Sequence, residues 1–398
     1  MTTAAIKRIR VLVVDDSAFM RRVLHGIISA DPGMEVVGQA SDGREAVKMA
    51  ESLRPDVITM DLNMPHMDGL QATEHIMSLN PRPIVVVSSE SREGAASSLR
   101  ALELGAIEFV AKPSSAIDLD MNSVRGDLLR KLKMAAKVRV VRTATRTEFG
   151  VLSPLSKKGI EAASSAAKTS PAVEPAGSNG KPAPGNGASA SAASPAVKST
   201  EPFPLIVVAA STGGPATLMR FIPRFPKDFP AAIFVVQHMP ASFTSQFSQQ
   251  LGENTPLRVK EAEAGEKIQP GTIYICPGSN HLRIVSGGRI ALDNGPRIDG
   301  YLPCADVTLE SAAAYGRTMT IGVVLTGMGN DASRGVKAIK TAGGTVIAQN
   351  EDTSVIFGMP AEAIKTGAVD QVLALDDIFP AIEKRVLLLC GAGRVGGR

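Results

Sequence analysis

The chain is poor in aromatic residues and in cysteine. Its 398 residues include no Trp, 3 Tyr and 12 Phe, so stacking of nucleic-acid bases on aromatic side chains is not expected to be its main activity. The cysteines Cys276, Cys304 and Cys390 are odd in number and widely spaced. This pattern argues against a disulfide framework or a zinc cluster and fits a reducing cytosol, so we expect a cytoplasmic protein.

Long hydrophobic runs and a large charge imbalance are also missing. No stretch approaches the ~20 apolar residues of a membrane span, and the N-terminus lacks the apolar region and cleavage site of a secretory signal. The net charge of +4 does not call for a nucleic-acid partner. We therefore expect no membrane insertion and no nucleic acid. The length predicts two or three domains, and 44% hydrophobic residues suffice for globular cores.

The first third of the chain alternates short apolar runs with helical patterns. The predicted strands are 9–14, 35–40, 57–60, 84–87 and 108–111, and the helical patterns include 18–29 and 43–53. Alternation of this kind predicts a doubly wound α/β sheet. Ligands of such sheets bind beyond the carboxyl ends of the strands.

Chemically related side chains follow these predicted strands. Asp15 and Asp16 follow the first strand and Asp61 follows the third. Three converging carboxylates repel each other, and a hard divalent cation such as Mg²⁺ would relieve that repulsion. Ser88 and Lys112, after the fourth and fifth strands, could bind phosphoryl oxygens. The alternative is a set of separate helix caps and surface charges, but placement at successive strand ends favours one site.

Five motifs in this region resemble the receiver domain of two-component response regulators. They are Val13-Val14-Asp15-Asp16-Ser17, Met60-Asp61-Leu62-Asn63-Met64-Pro65, Asp68-Gly69, Val87-Ser88-Ser89 and Phe109-Val110-Ala111-Lys112-Pro113. The resemblance covers about residues 6–124 and implies a flavodoxin-like fold. It also implies that a chemotaxis histidine kinase phosphorylates Asp61.

The same resemblance implies roles for further residues. Mg²⁺ would be held by Asp15, Asp16, Asp61 and the carbonyl of Asn63. Three residues would form the switch that responds to phosphorylation: Ser88, Phe109 and Lys112. An aspartyl phosphate adds charge and acceptor oxygens, which could pull Ser88 and its loop inward.

A linker region is predicted at 125–200. Residues 128–141 place five basic side chains among Leu and Val, which we interpret as the last receiver helix with a solvated basic face. Residues 161–200 are nearly all Ala, Ser, Pro, Gly, Lys and Thr, so they cannot bury enough apolar surface to fold alone. We predict a long disordered tether there.

The alternating pattern returns in the last half. Apolar runs lie at 205–210, 233–236, 272–275, 320–325 and 345–348, with helical stretches such as 305–315 and 333–341 between them. Residues 282–292, with Gly287-Gly288, predict a β-hairpin insert. We therefore expect a second doubly wound α/β domain at 201–392.

Ser211 follows the first of these runs and precedes Gly213-Gly214-Pro215. A serine on such a strand-to-helix turn exposes its hydroxyl, and the next backbone N–H can meet a developing oxyanion. An N-cap serine is an equally weighted alternative on this stretch alone. A phosphate-binding loop is a weaker one, because no Gly-Lys-Ser/Thr follows.

A nucleophilic serine needs a base and a group that orients the base. His238 closes a strand run, as Ser211 does, and is preferred over His281, which we expect in a loop. Asp331 follows the run at 320–325 and could orient the imidazole or cap a helix. The order Ser, His, Asp differs from that of α/β-hydrolases, and Ala209 replaces their first Gly, so a different hydrolase lineage is indicated.

Four motifs in this half resemble the chemotaxis protein-glutamate methylesterases. They are Ala-Ser-Thr-Gly-Gly at 210–214, Val-Gln-His-Met-Pro at 236–240, Leu-Thr-Gly-Met-Gly-Asn-Asp at 325–331 and Ala-Gln-Asn-Glu at 348–351, the last joined to Phe-Gly-Met-Pro at 357–360. The resemblance spans about 203–385 and implies a Rossmann-like domain. It implies the nucleophile Ser211, the general base His238 and the orienting Asp331, with oxyanion donors near Thr212 and Met328.

The implied substrates are methylated glutamates on the cytoplasmic helices of chemoreceptors, and certain receptor glutamines are deamidated. The chain departs from the family pattern at Ala209 and Ala332, where Gly is usual. It also departs at 302–306, which reads Leu-Pro-Cys-Ala-Asp in place of Arg-Pro-Ser-Val-Asp. A methyl group at each of the first two positions could tighten a turn without removing chemistry. The third change bears on receptor choice and rate.

We therefore predict a monomeric, cytosolic, phosphorylation-controlled serine hydrolase that needs no cofactor for the esterase step. In its resting state the receiver would cover the cleft, and phospho-Asp61 would favour release. An alternative is a receiver-controlled binding module that has lost or altered esterase activity and serves a non-motility signalling array. A DNA-binding regulator is less favoured, because no helix-turn-helix pattern follows the receiver.

Overall fold

The computed structural model describes residues 7–89, 91–112, 121–138 and 203–393. The predicted tether at 161–200 lies outside these residues. Within them are two parallel sheets flanked by helices, as predicted for two doubly wound α/β domains. None of the described helices is both long and apolar enough to cross a membrane.

The N-terminal sheet has five parallel strands in the order β2-β1-β3-β4-β5. The strands are β1 (Ile9–Val14), β2 (Met34–Ala40), β3 (Val57–Met60), β4 (Ile84–Ser88) and β5 (Glu108–Ala111). The helices are α1 (Ala18–Ser29), α2 (Gly43–Leu53), α3 (Gly69–Leu79), α4 (Arg92–Glu103) and α5 (Met121–Ala135). The central strands are rich in Val and Ile and are buried on both faces, which is typical of parallel sheets.

Local sequence determines where several of these helices begin. The side chains of Ser17, Asp42 and Asp68 each accept a hydrogen bond from a backbone N–H in the first turn of α1, α2 and α3. Each cap lies just beyond or near a strand end. The chain therefore turns sharply at the carboxyl edge of the sheet, where the acidic residues lie.

The C-terminal sheet has seven parallel strands in the order β14-β13-β12-β6-β7-β9-β8. Its strands are β6 (Leu205–Ala210), β7 (Ala232–Gln237), β8 (Arg258–Glu261), β9 (Thr272–Ile275), β12 (Thr320–Val324), β13 (Thr345–Gln349) and β14 (Gln371–Leu373). The predicted hairpin is β10 (His281–Val285) paired antiparallel with β11 (Arg289–Asp293). The helices are α6 (Gly214–Phe221), α7 (Ala241–Glu253), α8 (Ala305–Gly316), α9 (Ser333–Thr341), α10 (Met359–Lys365) and α11 (Leu375–Gly393).

The strand order reverses between β6 and β12. From β6 the chain continues through β7 on one side, whereas β12 lies on the other side. A crevice forms outside the carboxyl ends of the strands at such a reversal, and ligands of open α/β sheets bind there. The turns after β12, β6 and β7 lie side by side at this carboxyl edge of the sheet.

Three features of the sheet region differ from the sequence predictions. The edge strands β8 and β14 were not predicted, because both are short and only partly buried and so have a weak hydrophobic signal. Several strands extend one residue beyond the predicted run, as β4 does to Ser88. The prediction that His281 lies in a loop was wrong: it begins β10 and is buried, since its ring bonds to polar groups inside the protein.

Candidate active site

The three residues predicted as a triad follow three adjacent strands. Ser211 follows β6, His238 follows β7 and Asp331 lies in the turn after β12. Backbone hydrogen bonds join these turns, with the N–H of Ser211 donating to Thr326 O at 3.0 Å and the N–H of His238 donating to Ala210 O at 3.1 Å. The parallel register thus brings residues distant in sequence to one edge of the sheet.

His238 and Asp331 form a direct pair. His238 Nε2 lies 2.7 Å from Asp331 Oδ2, and the Asp331 side chain is fully buried. Burial by itself would raise the pKa of Asp331, but the hydrogen bond from His238 and those from backbone N–H groups outweigh it and hold the pKa below its ordinary value. Asp331 is therefore ionised at neutral pH and can orient a protonated imidazole.

The Asp331 carboxylate also caps helix α8. It accepts hydrogen bonds from the backbone N–H of Ala305 at 2.7 Å and of Asp306 at 2.9 Å, and the Cys304 thiol donates at 3.3 Å. Burial raises the pKa of Cys304 to about 12, so its sulfur carries a proton to donate. Ligand atoms of Cys304, Asp306 and Asp331 lie close together. The donors around Asp331 suit a helix cap better than a metal cage.

Ser211 is buried beside this pair, and its Oγ makes no hydrogen bond within the described part of the chain. Because Nε2 of His238 is engaged by Asp331, Nδ1 is the ring nitrogen that remains available to accept a proton. The structure thus pairs the His238 imidazole with the Asp331 carboxylate, and within the described residues it gives the Ser211 hydroxyl no hydrogen bond to that imidazole.

Gln237 is a site residue that sequence reasoning missed. Its buried Nε2 donates to Ser211 O at 2.9 Å and to His238 O at 3.1 Å, so one amide holds the turns of both residues. A Cβ on Gly214 would lie 2.0 Å from Gln237 Oε1, which explains the need for glycine there. The available signal was a polar residue at the end of an otherwise apolar buried strand.

The predicted oxyanion donors lie on two turns that meet at Ser211. Within the described residues, the backbone N–H groups of Thr212 and Met328 donate to no protein acceptor. A Cβ on Gly327 would lie 2.8 Å from that of Ser211, so glycine permits the close approach of the two turns. The hydroxyl of Thr326 donates a hydrogen bond to Thr212 O at 3.0 Å, which holds the two turns together.

The two Ala departures occupy different environments. Ala209 lies inside β6, paired with Val236 and fully buried. Ala332 is the N-cap of α9 and has a φ of 81°, a left-handed conformation that costs a non-glycine residue about 1 kcal/mol. The methyl group of Ala332 is therefore accommodated with backbone strain.

The predicted phosphorylation site also assembles. Carboxylate oxygens of Asp15, Asp16 and Asp61 lie within 4.8 Å of one another. Lys112 Nζ is 2.9 Å from Oδ2 of both Asp15 and Asp61. Burial raises the pKa of Asp61, although Lys112 opposes the shift. Three oxygen donors that repel one another in a half-buried pocket fit a hard cation such as Mg²⁺.

The other two residues predicted for the switch, Ser88 and Phe109, lie in the strands β4 and β5 of the same sheet. Ser88 Oγ donates to Gly94 O in α4 at 3.3 Å, so in this conformation it is directed to the helix. Phe109 is buried, and Lys131 Nζ lies 5.2 Å from its ring centroid. Asn63 donates its N–H weakly to Asp61 Oδ1 at 3.4 Å. The basic face predicted on this last helix is partly paired, because Lys131 also contacts Asp127.

Comparison with known proteins matches both parts of the chain. The model for the CheB methylesterase family matches residues 206–382, and the response regulator receiver domain model matches 11–126. A protein-glutamate methylesterase/protein-glutamine glutaminase of Pyrococcus horikoshii is 40% identical over 394 residues, which cover 98% of this chain and 97% of that protein. The protein of the same name from Thermotoga maritima is 41% identical over 368 residues, covering 92% and 95%.

Among solved structures, the catalytic domain of Thermotoga maritima CheB methylesterase is 43% identical. It covers 47% of this chain and 98% of that chain, with a TM-score of 0.44. The family models and the full-length relatives confirm both resemblances drawn from the sequence motifs. The chain therefore belongs to the CheB methylesterase family, with a response regulator receiver domain ahead of its methylesterase domain.

Proposed function

We propose that this protein is a phosphorylation-activated protein-glutamate methylesterase and protein-glutamine glutaminase of chemotaxis adaptation. The observation that carries the proposal is the pair of His238 and the buried Asp331 at the carboxyl edge of the sheet, with Ser211 on the neighbouring turn. Family membership supports the reaction type. The substrates are methylated glutamates and certain glutamines on cytoplasmic chemoreceptor helices, which would place the protein in the cytoplasm.

The chemistry follows from the roles of these three side chains. Ser211 Oγ attacks the γ-carbonyl of the glutamyl methyl ester as His238 takes its proton. The backbone N–H groups of Thr212 and Met328 stabilise the oxyanion. The imidazolium, held by ionised Asp331, returns the proton to the departing methoxide, and methanol leaves.

Water then completes the cycle. His238 takes a proton from water as the water oxygen attacks the acyl-enzyme, and the protonated imidazole returns that proton to Ser211 Oγ. The products are a glutamate side chain and the original serine. With a glutamine substrate the same steps release ammonia in place of methanol. The esterase step needs no cofactor.

Control by phosphorylation is supported by the acidic pocket of the receiver. Asp61 accepts the phosphoryl group from a chemotaxis histidine kinase. Asp15, Asp16, Asp61 and the carbonyl of Asn63 would hold Mg²⁺, which would supply positive charge next to the phosphoryl oxygens. Lys112 is already between the two buried carboxylates and can pair with the phosphoryl group.

Contacts between receiver and esterase elements support inhibition at rest. The Phe109 ring stacks on Phe243 of α7, with centroids 4.2 Å apart, and α7 begins three residues after His238. Arg130 of α5 donates to Met328 Sδ at 3.5 Å, at the predicted oxyanion residue. A receiver in this position would restrict access to the cleft. Phosphorylation that repacks Phe109 and Ser88 would weaken the contact and favour release.

The decisive experiment is mass spectrometry of methylated chemoreceptor peptides incubated with the protein and a small-molecule phosphodonor. We expect demethylation that rises with the phosphodonor, with methanol release absent in Ser211→Ala. If Asp61→Asn retained full stimulation by the phosphodonor, control by phosphorylation of Asp61 would be excluded, but the proposed esterase activity would not be. Absence of any Ser211-dependent methanol release from wild type would instead favour the binding-module alternative.

A further inference from the structure

An aromatic ring covers the imidazole of His238. The Tyr301 and His238 ring centroids are 4.8 Å apart, and the ring planes differ by 20°. Tyr301 takes no part in the reaction steps proposed above. We infer that Tyr301 is a positioning residue for the base, which holds the His238 imidazole in the plane that reaches Asp331. The inference rests on the proposed function.

A tight turn presents the tyrosine. The N–H of Ile298 donates to Tyr301 O at 3.0 Å, and the N–H of Tyr301 donates back to Ile298 O at 2.9 Å. The two central residues, Asp299 and Gly300, both have positive φ, 52° and 87°. This combination is typical of a type I′ turn, whose backbone is well defined. Asp299 also pairs with Arg334 of α9 at 2.7 Å, which ties the turn to the helix that follows Asp331.

The buried His281 holds the loop at residues 296–304 near both ends. Its Nε2 lies 3.1 Å from Pro296 O, and its Nδ1 lies 3.2 Å from the backbone nitrogen of Cys304. One neutral tautomer, with the proton on Nε2, satisfies both contacts as donor and acceptor. The histidine that sequence reasoning ranked second as a base therefore has a structural role in carrying Tyr301.

The tyrosine hydroxyl is held as well as its ring. Tyr301 Oη lies 3.3 Å from both the Oδ1 and the backbone N of Asn330, the residue before Asp331. A Cβ on Gly329 would lie 2.0 Å from Tyr301 Oη. Glycine at that position leaves the space in which the hydroxyl sits. Both ends of the side chain thus contact the elements that carry the base and its carboxylate.

This contact can assist the reaction in two ways. A stacked ring restricts rotation of the imidazole, so less freedom is lost when His238 must accept the Ser211 proton. The π face also stabilises the imidazolium that forms in the transition state. Both effects act on the rate of the chemical step more than on the binding of receptor helices.

The test compares Tyr301→Leu and Tyr301→Phe in the full-length, phosphodonor-activated protein, with Tyr315→Leu as the control. Tyr315 is an exposed tyrosine of α8 outside the site. We expect Tyr301→Leu to lower kcat about three- to tenfold with KM changed less than twofold. Tyr301→Phe should retain at least half of the wild-type kcat, because it keeps the ring, and Tyr315→Leu should match wild type.

A second readout does not depend on activity. The His238 ring protons, assigned in NMR spectra with His238→Gln, should lose their ring-current shift in Tyr301→Leu and keep it in Tyr301→Phe. The inference is overturned by an unchanged His238 resonance, by an unchanged kcat in Tyr301→Leu, or by equal losses in the Phe and Leu variants. Failure of the proposed function would give a different result: the wild-type protein would release no more methanol than Ser211→Ala.

Discussion

At the scale of single residues, the environment of Asp331 keeps its carboxylate charged beside the His238 imidazole. One oxygen contacts His238 and the N–H of Ala305, and the other accepts from the N–H groups of Asp306 and Ala332. Every nearby donor stabilises the ionised form, which explains a pKa below the ordinary value despite burial. Asparagine at this position would replace one carboxylate oxygen with an NH₂ group. That NH₂ group would face at least one hydrogen-bond donor, which it cannot satisfy as an acceptor.

The first prediction concerns this charge. Asp331→Asn should lower kcat by about 10³- to 10⁴-fold, because an amide stabilises neither the correct tautomer nor the imidazolium. Methanol release from methylated receptor peptides measures the effect. Asp377→Asn, an exposed carboxylate in α11, is the control and should match wild type. A loss of less than tenfold in Asp331→Asn would mean that another group orients His238.

The second prediction concerns Asp306, which burial and the nearby Asp331 give a raised pKa of about 6. A carboxyl whose folded pKa lies above its unfolded value favours the folded state when protonated, so its contribution falls as pH rises from about 4 to 6. Asp306→Asn keeps an acceptor for the Gly335 N–H but removes the charge. At pH 8 this variant should be more stable than wild type by about 1–3 kcal/mol.

Urea unfolding at pH 8 and at pH 4.5 measures that difference, which should shrink at the lower pH. Glu310→Gln is the matched control, because Glu310 lies on the same helix and pairs with the same Arg334 but is more exposed. A gain in stability that is equal at both pH values would show that packing, and not the buried charge, is responsible.

At the scale of elements, the ends of helices and strands determine where functional groups lie. Helix α2 ends at Leu53, and its C-cap residue Arg54 has a φ of 47° in the left-handed region, with Pro55 directly after it. A proline there prevents the helix from continuing, and the left-handed residue before it is usually glycine. The Arg54 side chain is exposed, so its strain is not offset by packing.

The third prediction follows from this helix end. Arg54→Gly should raise the free energy of unfolding by about 0.5–1 kcal/mol, because glycine adopts positive φ without the steric cost. The control Lys48→Gly, at an exposed position inside the same helix, should lower it by about 1 kcal/mol. Chemical denaturation compares the two. If both changes destabilised the protein equally, the left-handed cap would not be a source of strain.

At the scale of the whole molecule, the receiver and esterase elements share a packed contact. Gln250 of α7 donates to Glu103 of α4, Arg130 reaches Met328, and the aromatic pair Phe109 and Phe243 lies in the same contact. If this contact inhibits the resting enzyme, weakening it should shift the population toward the open form without phosphorylation.

The fourth prediction is that the double variant Arg130→Ala with Gln250→Ala has about two- to fivefold higher esterase activity without a phosphodonor. Its activity with saturating phosphodonor should be close to wild type. The control pair is Arg125→Ala with Gln249→Ala, exposed residues on the same two helices. Unchanged basal activity in the first pair would mean that these polar contacts do not restrict the cleft.

Local sequence patterns predicted most of the strands and helices, but they predicted only some of the residues at the candidate site. Strong apolar runs such as β1, β3 and β6 matched their predicted bounds, because a buried parallel strand must be continuously apolar. The edge strand β14 is mostly exposed and so need not be continuously apolar, and the sequence pattern did not predict it. Gln237 and Tyr301 were missed as site residues, since neither is a nucleophile, base or acid and their roles lie in contacts with distant residues.

The sequence alone determined the two α/β domains, the family and the candidates Ser211, His238 and Asp331, because motifs and periodicity are local properties of the chain. Only the tertiary structure decided that Nε2 of His238 engages Asp331 and that Ser211 Oγ makes no bond to the imidazole within the described residues. It also placed Tyr301 over the His238 ring, and it placed His281 of β10 in contact with both ends of the loop that carries Tyr301. Side-chain direction depends on how strands and loops pack, and no single stretch of sequence contains that information.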